Sequence, residues 1–242
     1  MPTDIQDRIR ALNWSAIEAD LDAHGGARTG PLLTPEECGA LTDCYGSDGL
    51  FRSRVIMARH GYGQGEYQYF AYPLPPIIAD LRTSLYRHLA PIAERWSAAL
   101  GRSQRYPAEH AVYLEQCHAA GQKRPTPLLL RYGPGDYNRL HQDLYGELVF
   151  PLQLTILLSR PHEDFTGGEF VLTEQRARMQ SRAEVVGLQF GEGVIFPVRE
   201  RPLQGPPSQR PRGPQRAMMR HGVSRVRSGQ RCTLGVIFHD AA

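Results

Sequence analysis

Short apolar runs separated by glycine and proline dominate the chain after Lys123. The runs cover Leu128 to Leu130, Leu152 to Leu158, Phe170 to Leu172, Val185 to Phe190, Val194 to Phe196 and Cys232 to Phe238. No helical period lies between them, and short strands joined by turns are typical of an antiparallel sandwich or barrel. Glycine and proline make up 43 of the 242 residues, about 18% against a usual ~12%, which also argues against an all-helical bundle. This half of the chain is therefore predicted to be β.

The first half of the chain shows mainly helical patterns. Thr34-Pro35-Glu36-Glu37 combines a capping residue, a proline suited to the first helical position and a glutamate placed for a capping box. Pro75-Pro76 opens a long amphipathic stretch that ends at Gly101, and a further helix is expected over 107–120. We therefore predict one domain, in which residues 1–125 form a helical support region with a candidate strand at 54–59 and residues 126–242 form the β core.

Composition excludes several classes of protein. The hydrophobic share of 41% and the charged share of 22% are ordinary for a globular protein and exclude wholesale disorder. The longest nearly apolar run, Leu148 to Ser159, is too short to span a bilayer, so no membrane association is expected. No secretory signal is visible at Met1-Pro2-Thr3-Asp4, and the four cysteines have no zinc-type spacing. A cytoplasmic protein with free thiols is expected.

Positive charge is concentrated in one segment. Of the 28 basic residues 27 are arginine, and nine of these lie in 199–231 with a single acid, Glu200, so the segment carries +8 while the whole chain carries +3. Such a block can bind an anionic partner such as nucleic acid, or it can be a solvated surface. Five prolines in 197–213 also interrupt any regular period there, and a loop of that length is usually functional or disordered.

A glycine- and tyrosine-rich segment at 61–72 has two interpretations. Gly61, Gly63 and Gly65 lack the strand-to-helix context of a dinucleotide-binding loop, and four tyrosines and a phenylalanine accompany them. The aromatic rings could form a flap packed on the barrel. Alternatively, they could form a substrate lid that stacks on a flat base, assisted by the arginine-rich segment.

His141-Gln142-Asp143 follows the strand and turn at 128–140. In an extended segment residues two apart project to the same side, so His141 and Asp143 can point together. With a second histidine from elsewhere they would supply three facial ligands for non-haem Fe(II), or they could be a hydrogen-bonded surface pair. His162-Glu163-Asp164 has the same pattern, but it lies in a turn beside Pro161 and is the weaker candidate.

Two downstream features strengthen the first candidate. His221-Gly222-Val223-Ser224 supplies a histidine, and Arg231 follows ten residues later at the start of an apolar strand. A buried arginine needs an anionic partner, and its planar fork matches a carboxylate in bidentate fashion, so a dicarboxylate cosubstrate would suit it. The alternative is an exposed arginine at the end of a strand.

In order and spacing these residues resemble the Fe(II)/2-oxoglutarate-dependent dioxygenases, in their prolyl-hydroxylase-like and AlkB-like branches. The resemblance covers roughly 126–242, and it rests on Tyr132, His141-x-Asp143, the Gly167-Gly168-Glu169-Phe170 turn, a Gly-x-Gly-Val-Ile-Phe run at 191–196, His221 and Arg231. It implies a mainly β catalytic core with N-terminal helices, built as a double-stranded β-helix (jelly roll). The His-Gly-Val-Ser and terminal Phe-His-Asp elements are most similar to a bacterial group presumed to act on damaged nucleic acid.

The resemblance also implies roles for individual residues. His141, Asp143 and His221 would hold Fe(II), and Arg231 would bind the distal carboxylate of 2-oxoglutarate. Tyr132 would donate a hydrogen bond to the same cosubstrate, and Thr155, Gln153 and Thr233 would line the pocket. The implied cofactors are Fe(II), 2-oxoglutarate as cosubstrate and O2, with ascorbate as a candidate reductant. The chain departs from both branches at the Arg231 position, which is often lysine in one branch and lies further along in the other.

Three functions follow as hypotheses. The first is an oxygenase that hydroxylates a substrate C–H bond and demethylates alkylated nucleic acid, with the arginine-rich segment 199–231 as the contact surface. The second is a hydroxylase of a prolyl or other protein residue, or of a small metabolite. The third is a jelly-roll binding module without turnover, which an intact set of ligands makes the weakest of the three.

Overall fold

The computed structural model describes residues 4–203 and 215–242. Its helices begin where the sequence offers caps. Thr34 and Glu37 form the expected capping box, because the Thr34 side chain accepts from the Glu37 amide and the Glu37 carboxylate accepts from the Thr34 amide. The helices are α1 (Ile5–Arg10), α2 (Trp14–His24), α3 (Pro35–Asp43), α4 (Pro76–Ala99) and α5 (His110–Ala119). None of the described helices is long and apolar enough to cross a membrane.

Strands make up most of the described part of the second half. The strands formed before residue 126 are β1 (Ala27–Pro31), β2 (Phe51–Ile56), β3 (Gly63–Gln64) and β4 (Glu66–Phe70). Those formed after it are β5 (Leu128–Tyr132), β6 (Tyr137–His141), β7 (Leu152–Leu157), β8 (Phe165–Gly167), β9 (Phe170–Gln175), β10 (Arg182–Val186), β11 (Glu192–Pro197), β12 (Glu200–Pro202), β13 (Arg216–Val223), β14 (Val226–Gly229) and β15 (Arg231–Ile237). The described residues after 126 contain no helix, as the turn-punctuated pattern predicts.

Two larger antiparallel sheets form the β core. The first has seven strands in the order β1-β11-β7-β15-β5-β4-β2, and the second has five in the order β10-β9-β13-β6-β3, with β12 as a sixth strand beside β13. A short ribbon of β14 and β8 lies apart from both. Phe170 and Leu172 of β9 pack with Val194 and Phe196 of β11, so the two sheets face each other across an apolar layer. This arrangement confirms the predicted mainly β jelly-roll architecture.

The helices cover the outer face of the seven-stranded sheet. Alternate residues of β7, such as Leu154 and Ile156, pack with the apolar face of α4, which includes Leu85 and Leu89. The residues between them, such as Thr155, face the other sheet and line a cavity there. The helical region thus supports one face of the core and leaves the inner face to the site.

The strand predicted at 54–59 is displaced in the structure. β2 runs over Phe51–Ile56, and the chain then makes a 3-10 turn at Met57–His60. β1, β3 and β4 are strands that the sequence did not predict, because β1 has no apolar alternation and the other two lie within the segment 61–72. All four strands hydrogen-bond to strands from after residue 126 or to each other. Residues 204–213 of the proline-rich stretch lie outside the described residues.

Candidate active site

The two histidines predicted as partners lie opposite each other on neighbouring strands. His141 is the last residue of β6 and His221 lies in β13, and these antiparallel strands pair with His221 directly across from His141. Their ring centroids are 4.2 Å apart. The two histidines lie 80 positions apart in the sequence, and the register of a single strand pair brings them together.

Asp143 completes the cluster from beyond the end of β6. Its Oδ2 lies 3.2 Å from the Nε2 of His221, and its Oδ1 lies 3.5 Å from the Nε2 of His141. One potential ligand atom from each of the three side chains falls within 4.8 Å of the others. Two imidazoles and one carboxylate form the donor set that proteins use for facial coordination of Fe(II).

Side chains near Asp143 hold it in place, although no strand does so. The Tyr145 hydroxyl donates to Asp143 Oδ1 at 2.7 Å. The Gln142 amide nitrogen donates to the carbonyl oxygens of Met219, at 2.8 Å, and Arg199, at 3.1 Å. These bonds tie the irregular segment after β6 to β13, so the carboxylate is kept beside His221.

The electrostatics of the three groups are coupled. Burial would raise the pKa of Asp143, but the neighbouring His221 and His141 hold it well below its usual range, so the group is a carboxylate. Burial and the nearby His141 lower the pKa of His221. Burial opposes the protonation of His141, yet its hydrogen bond to Asp143 leaves its pKa raised. An anionic oxygen and two imidazole nitrogens thus share one site.

Hydrogen bonding also selects the free nitrogen of His141. Its Nδ1 lies 2.7 Å from the carbonyl oxygen of Arg139 and donates to it, which leaves Nε2 available on the side of the other two groups. In the described residues this is the one group of three histidine, cysteine or acidic side chains with ligand atoms so close together. His162 is exposed in the turn before β8, where Asp164 accepts from the Arg160 amide, so the second His-x-Asp pattern is a turn feature.

A cavity of about 430 Å³ opens over the three residues and contains Arg231. The Arg231 side chain is 2% exposed, yet its Nε and one terminal nitrogen have no hydrogen-bond partner. A buried cation with free donors is costly unless an anion joins it. Tyr132 lies directly opposite on β5, fully buried, with the guanidinium 5.7 Å from the ring centre. The cavity floor is therefore equipped to receive an anion.

The turn between β8 and β9 makes room for the guanidinium. Gly168 has φ of +65°, and a Cβ there would lie 2.8 Å from the Cδ of Arg231. Only glycine combines that backbone conformation with so close an approach. The Gly167-Gly168 element noted in the sequence thus shapes the Arg231 cradle.

The remaining predicted pocket residues also reach the cavity. Thr233 lies two residues after Arg231 on β15, and Thr155 and Gln153 alternate along β7, which pairs with β15. All three are buried. The cavity lining thus brings together every residue that the sequence nominated for cofactor binding.

Sequence reasoning missed Tyr145 and the anchoring role of Gln142. Tyr145 lies at the same two-residue spacing from Asp143 that Asp143 has from His141, which was an available signal. The contact between Tyr145 and Asp143 nevertheless depends on a bend in the chain after β6. Neither the composition of this segment nor the spacing of its apolar residues predicts that bend.

The arginine-rich segment 199–231 divides into two kinds of residue. Arg231 lies in the cavity, and Arg201 is buried in an ion pair with Glu174 and bonds to the carbonyl oxygens of residues 22 and 23. The exposed arginines are Arg199, Arg216, Arg220, Arg225 and Arg227. Arg210 and Arg212 lie outside the described residues. The segment is thus partly structural and partly an exposed cationic surface.

The segment 61–72 is divided in the same way. Phe70 and Tyr69 of β4 are buried, as expected for rings packed on the barrel. Tyr62 is 50% exposed and lines the cavity over the three clustered residues. The packed-flap interpretation thus describes Tyr69 and Phe70. Tyr62 and the half-buried Tyr67 instead line the cavity.

Comparisons with known proteins agree with this geometry. A protein-family model described as an oxygenase catalysing oxidative methylation of damaged DNA matches residues 65–241. Proteins from two strains of Mycobacterium tuberculosis, both described as uncharacterized, are 51% identical over 173 residues, which is 72% of this chain and 72% of each relative.

Solved structures share the fold at low identity. An oxidoreductase of the 2OG-Fe(II) oxygenase family from Burkholderia pseudomallei has a TM-score of 0.56 at 15% identity, with 96% of this chain and 94% of that one covered. A prolyl hydroxylase from Trichoplax adhaerens, in complex with a hypoxia inducible factor oxygen degradation domain peptide, has a TM-score of 0.54 at 14% identity, with 98% and 93% covered. These likenesses confirm the double-stranded β-helix.

The family match spans most of the chain, and the clustered His141, Asp143 and His221 lie in one cavity with Arg231. The chain therefore belongs to the family of oxygenases described as acting on damaged DNA.

Proposed function

We propose that this oxygenase removes alkyl groups from damaged nucleic acid by hydroxylating a C–H bond of the alkyl substituent. The observation that carries the proposal is the cavity that joins the His141, Asp143 and His221 cluster to the unpartnered guanidinium of Arg231. The substrate class draws its support from the description of the matching family.

His141, Asp143 and His221 would hold the iron. The Nε2 of His141 is free because its Nδ1 is bonded to the backbone, and the Nε2 of His221 and the Oδ2 of Asp143 point toward each other at 3.2 Å. A set of three protein ligands would leave the metal able to bind a cosubstrate as well. Bound Fe(II) and 2-oxoglutarate would together convert O2 into an oxidant for the C–H bond, with release of succinate and CO2.

Arg231 would anchor 2-oxoglutarate by its distal carboxylate. Its free donors suit a bidentate carboxylate, and burial would strengthen that pairing. Burial raises the pKa of Tyr132 to about 12 while nearby Arg231 opposes the rise, so the phenol stays neutral and can donate. Thr155 and Thr233 would bind or orient the same molecule from β7 and β15.

Hydroxylation of an N-methyl group leads to loss of the methyl carbon. Insertion of one oxygen atom into a methyl C–H bond gives an N-hydroxymethyl group. That group breaks its C–N bond and leaves as formaldehyde, while the proton of its hydroxyl passes to the nitrogen. We therefore propose net demethylation of the base.

Exposed arginines supply the surface for an anionic polymer. Five arginines of the 199–231 segment are exposed in the described residues, as is Arg139 at the cavity. Cations of this kind bind phosphates and release counterions, so binding should weaken steeply with salt. We also propose a cytoplasmic location, for which the four free cysteines are the support, and ascorbate as the reductant that keeps the iron ferrous.

The proposal is tested by succinate and formaldehyde release. Purified protein with Fe(II) and 2-oxoglutarate is given N-methylated single-stranded DNA, the same strand unmethylated, prolyl peptides and small metabolites, with His141→Ala as the blank. We expect formaldehyde in proportion to succinate on the methylated strand alone. Coupled turnover on a peptide or metabolite, with no turnover on any methylated strand, would replace this substrate class by the hydroxylase alternative. An absence of succinate from every arm would favour the binding module.

A further inference from the structure

Exposed apolar side chains are concentrated at the mouth of the active-site cavity. In the described residues seven large hydrophobic side chains are exposed, and three of them line this cavity: Tyr62 at 50%, Leu140 at 46% and Leu144 at 48%. We call these three residues the rim patch. Scattered single hydrophobic residues need no explanation, but a cluster around one opening indicates a contact surface.

Tyr62 is held rigidly although its ring is exposed. Its carbonyl oxygen accepts from the Arg139 amide at 2.9 Å, and its own amide donates to Met57 at 3.2 Å. β3 then pairs with β6, and a Cβ on Gly63 would lie 2.3 Å from the Tyr137 carbonyl oxygen. The backbone of Tyr62 is thus fixed to the strand that carries His141, so the exposure of its side chain is not a consequence of a loose loop.

The partners of Tyr62 suit a flat ligand. His60 stacks on its ring with a centroid distance of 5.3 Å and an interplanar angle of 22°. Such a pair of aromatic rings presents a planar, preorganised surface at low entropic cost. Leu140 and Leu144 add apolar contact on the segment that runs past His141 and Asp143.

The charge around the rim patch favours an anionic chain. Arg139 is exposed, lines the cavity and has no ion-pair partner in residues 4–203 and 215–242. Asp143 is the sole acid of the cavity lining, and it belongs to the proposed metal site. A ligand with a planar ring and a flanking negative charge therefore matches the opening better than a neutral or acidic peptide.

We propose that the rim patch receives one nucleobase swung out of a single strand, with Tyr62 stacked on the base and Arg139 bound to a neighbouring phosphate. This inference rests on the proposed function and adds the form of the substrate and the residues that select it. A base inside a duplex cannot reach the cluster of His141, Asp143 and His221 without unstacking, and that cost is smallest in a single strand. Every base can stack on an aromatic ring. The rim patch therefore selects single strands over duplexes more than it selects one base sequence over another.

The test is direct binding, measured by fluorescence anisotropy of a labelled methylated single strand with Fe(II), 2-oxoglutarate and no oxygen. Tyr62→Leu keeps an apolar side chain and removes the ring, so we expect affinity to fall about tenfold. Tyr62→Phe keeps the ring and should stay within about twofold of the wild type. Val185→Ala, an exposed hydrophobic residue on β10 away from the cavity lining, serves as the matched control.

Two further measurements separate stacking from charge. Arg139→Gln should weaken binding to every strand and reduce the slope of log affinity against log salt by about one. Wild-type protein should prefer the single strand over its duplex, and Tyr62→Leu should lose much of that preference. The midpoint of thermal unfolding of each variant shows whether the fold is retained.

The outcomes distinguish this inference from the proposed function. If the wild type binds and demethylates the strand while Tyr62→Leu binds within twofold of it, the stacking role is wrong and the proposed function stands. If the wild type prefers the duplex, the single-strand selectivity is wrong. If the wild type binds no strand at all and turns over a peptide, both the inference and the nucleic-acid proposal fail.

Discussion

Arg231 is a cation buried among apolar and aromatic side chains. Burial lowers its pKa, and Tyr132 and Phe165 lie within 6 Å of its guanidinium carbon. Aromatic faces stabilise a cation only in part, so the free energy of the folded protein carries an uncompensated desolvation cost there. A dicarboxylate that pairs with Arg231 would remove that cost, which is why the cosubstrate role is assigned to this residue.

We expect Arg231→Ala to weaken 2-oxoglutarate binding by about 100-fold, because the distal carboxylate would lose a desolvated bidentate partner. Iron binding should change by less than about threefold, since Arg231 is not among the clustered ligands. Calorimetric titration of 2-oxoglutarate and of metal measures the two separately. Arg225→Ala, an exposed arginine, is the control, and equal losses in both titrations would contradict the assigned role.

Tyr145 contacts the carboxylate of Asp143. Its hydroxyl occupies Oδ1, which leaves Oδ2 directed at His221. Tyr145→Phe should therefore lower the affinity for Co(II), used as a spectroscopic substitute for Fe(II), by about tenfold or more. Absorbance during a Co(II) titration gives both the affinity and the coordination geometry.

The control for this change is Tyr106→Phe, which removes a phenol that donates to the Val149 carbonyl oxygen at 3.2 Å outside the active-site cavity. If both variants bind Co(II) like the wild type, Tyr145 does not position the ligand. Asp143→Ala should abolish the Co(II) spectrum and so checks the site itself.

The turn between β8 and β9 shows how an element can shape a pocket without contributing a functional group. Gly168 lets the chain reverse beside the Arg231 side chain, and β9 then pairs with β13, which carries His221. One turn thus couples the guanidinium to the strand that carries His221. The segment after β6 also shapes the site without being a strand. Side-chain hydrogen bonds hold Asp143 there, in place of the backbone hydrogen bonds of a strand pair.

Gly168→Ala tests the turn. A left-handed conformation at alanine costs about 1 to 2 kcal/mol, and the new methyl group must displace the Arg231 side chain. We expect a lower free energy of unfolding together with weaker 2-oxoglutarate binding. Gly30→Ala has a similar φ of +71° with open space around the position, so it should lose stability and keep cosubstrate affinity. Equal cosubstrate affinity in both variants would show that Arg231 is not displaced.

At the scale of the whole molecule, a buried polar network joins the helices to the end of the chain. Arg82 of α4 donates to Asp240 at 2.7 Å, and the Asp240 carboxylate also accepts from Tyr72. Nearby His110 of α5 bonds to the Phe238 carbonyl oxygen at 2.8 Å. This network fastens the helical region to the seven-stranded sheet behind the site.

Two histidines of this region make stability depend on pH. Burial, together with the nearby Arg82, lowers the pKa of His110 to about 3 and that of His239 to about 4. In the unfolded chain both histidines become protonated near pH 6.5, whereas in the folded protein they stay neutral to a lower pH. Acidification from pH 6.5 to 4 therefore lowers the free energy of unfolding, by up to about 1.4 kcal/mol per pH unit for each histidine. Above pH 6.5 both histidines are neutral in either state, and their contribution to stability is complete.

His239→Asn isolates one of the two titrations. An asparagine oxygen can accept from the Phe150 amide in place of the His239 Nδ1, which is 3.2 Å away, and it cannot be protonated in this range. We expect the difference in unfolding free energy between pH 6.5 and pH 4.5, measured with urea, to be smaller in the variant by about 2 kcal/mol. An unchanged difference would show that His239 is not a buried neutral group.

The order of chemical groups along the chain determined the class of the protein. Short apolar runs between turn residues can bury their surface only in packed sheets, and His141, Asp143, His221 and Arg231 follow one another with spacings that such sheets can bring together. Local patterns sufficed for these features because strand alternation, turn chemistry and capping boxes such as Thr34 with Glu37 depend on near neighbours. The candidate metal ligands and Arg231 were nominated in a different way, by the resemblance of their order and spacing to a known family.

Tertiary structure decided what depends on distant partners. The register that sets His221 opposite His141, the bend that brings Tyr145 to Asp143 and the pairing that fixes Tyr62 at the cavity mouth involve contacts between segments far apart in the chain. β1 and β3 became strands because neighbouring strands offered hydrogen bonds, and their own side chains carry no strand pattern. A single sequence records which groups are present, but only the packed sheets determine which of them meet and which remain exposed.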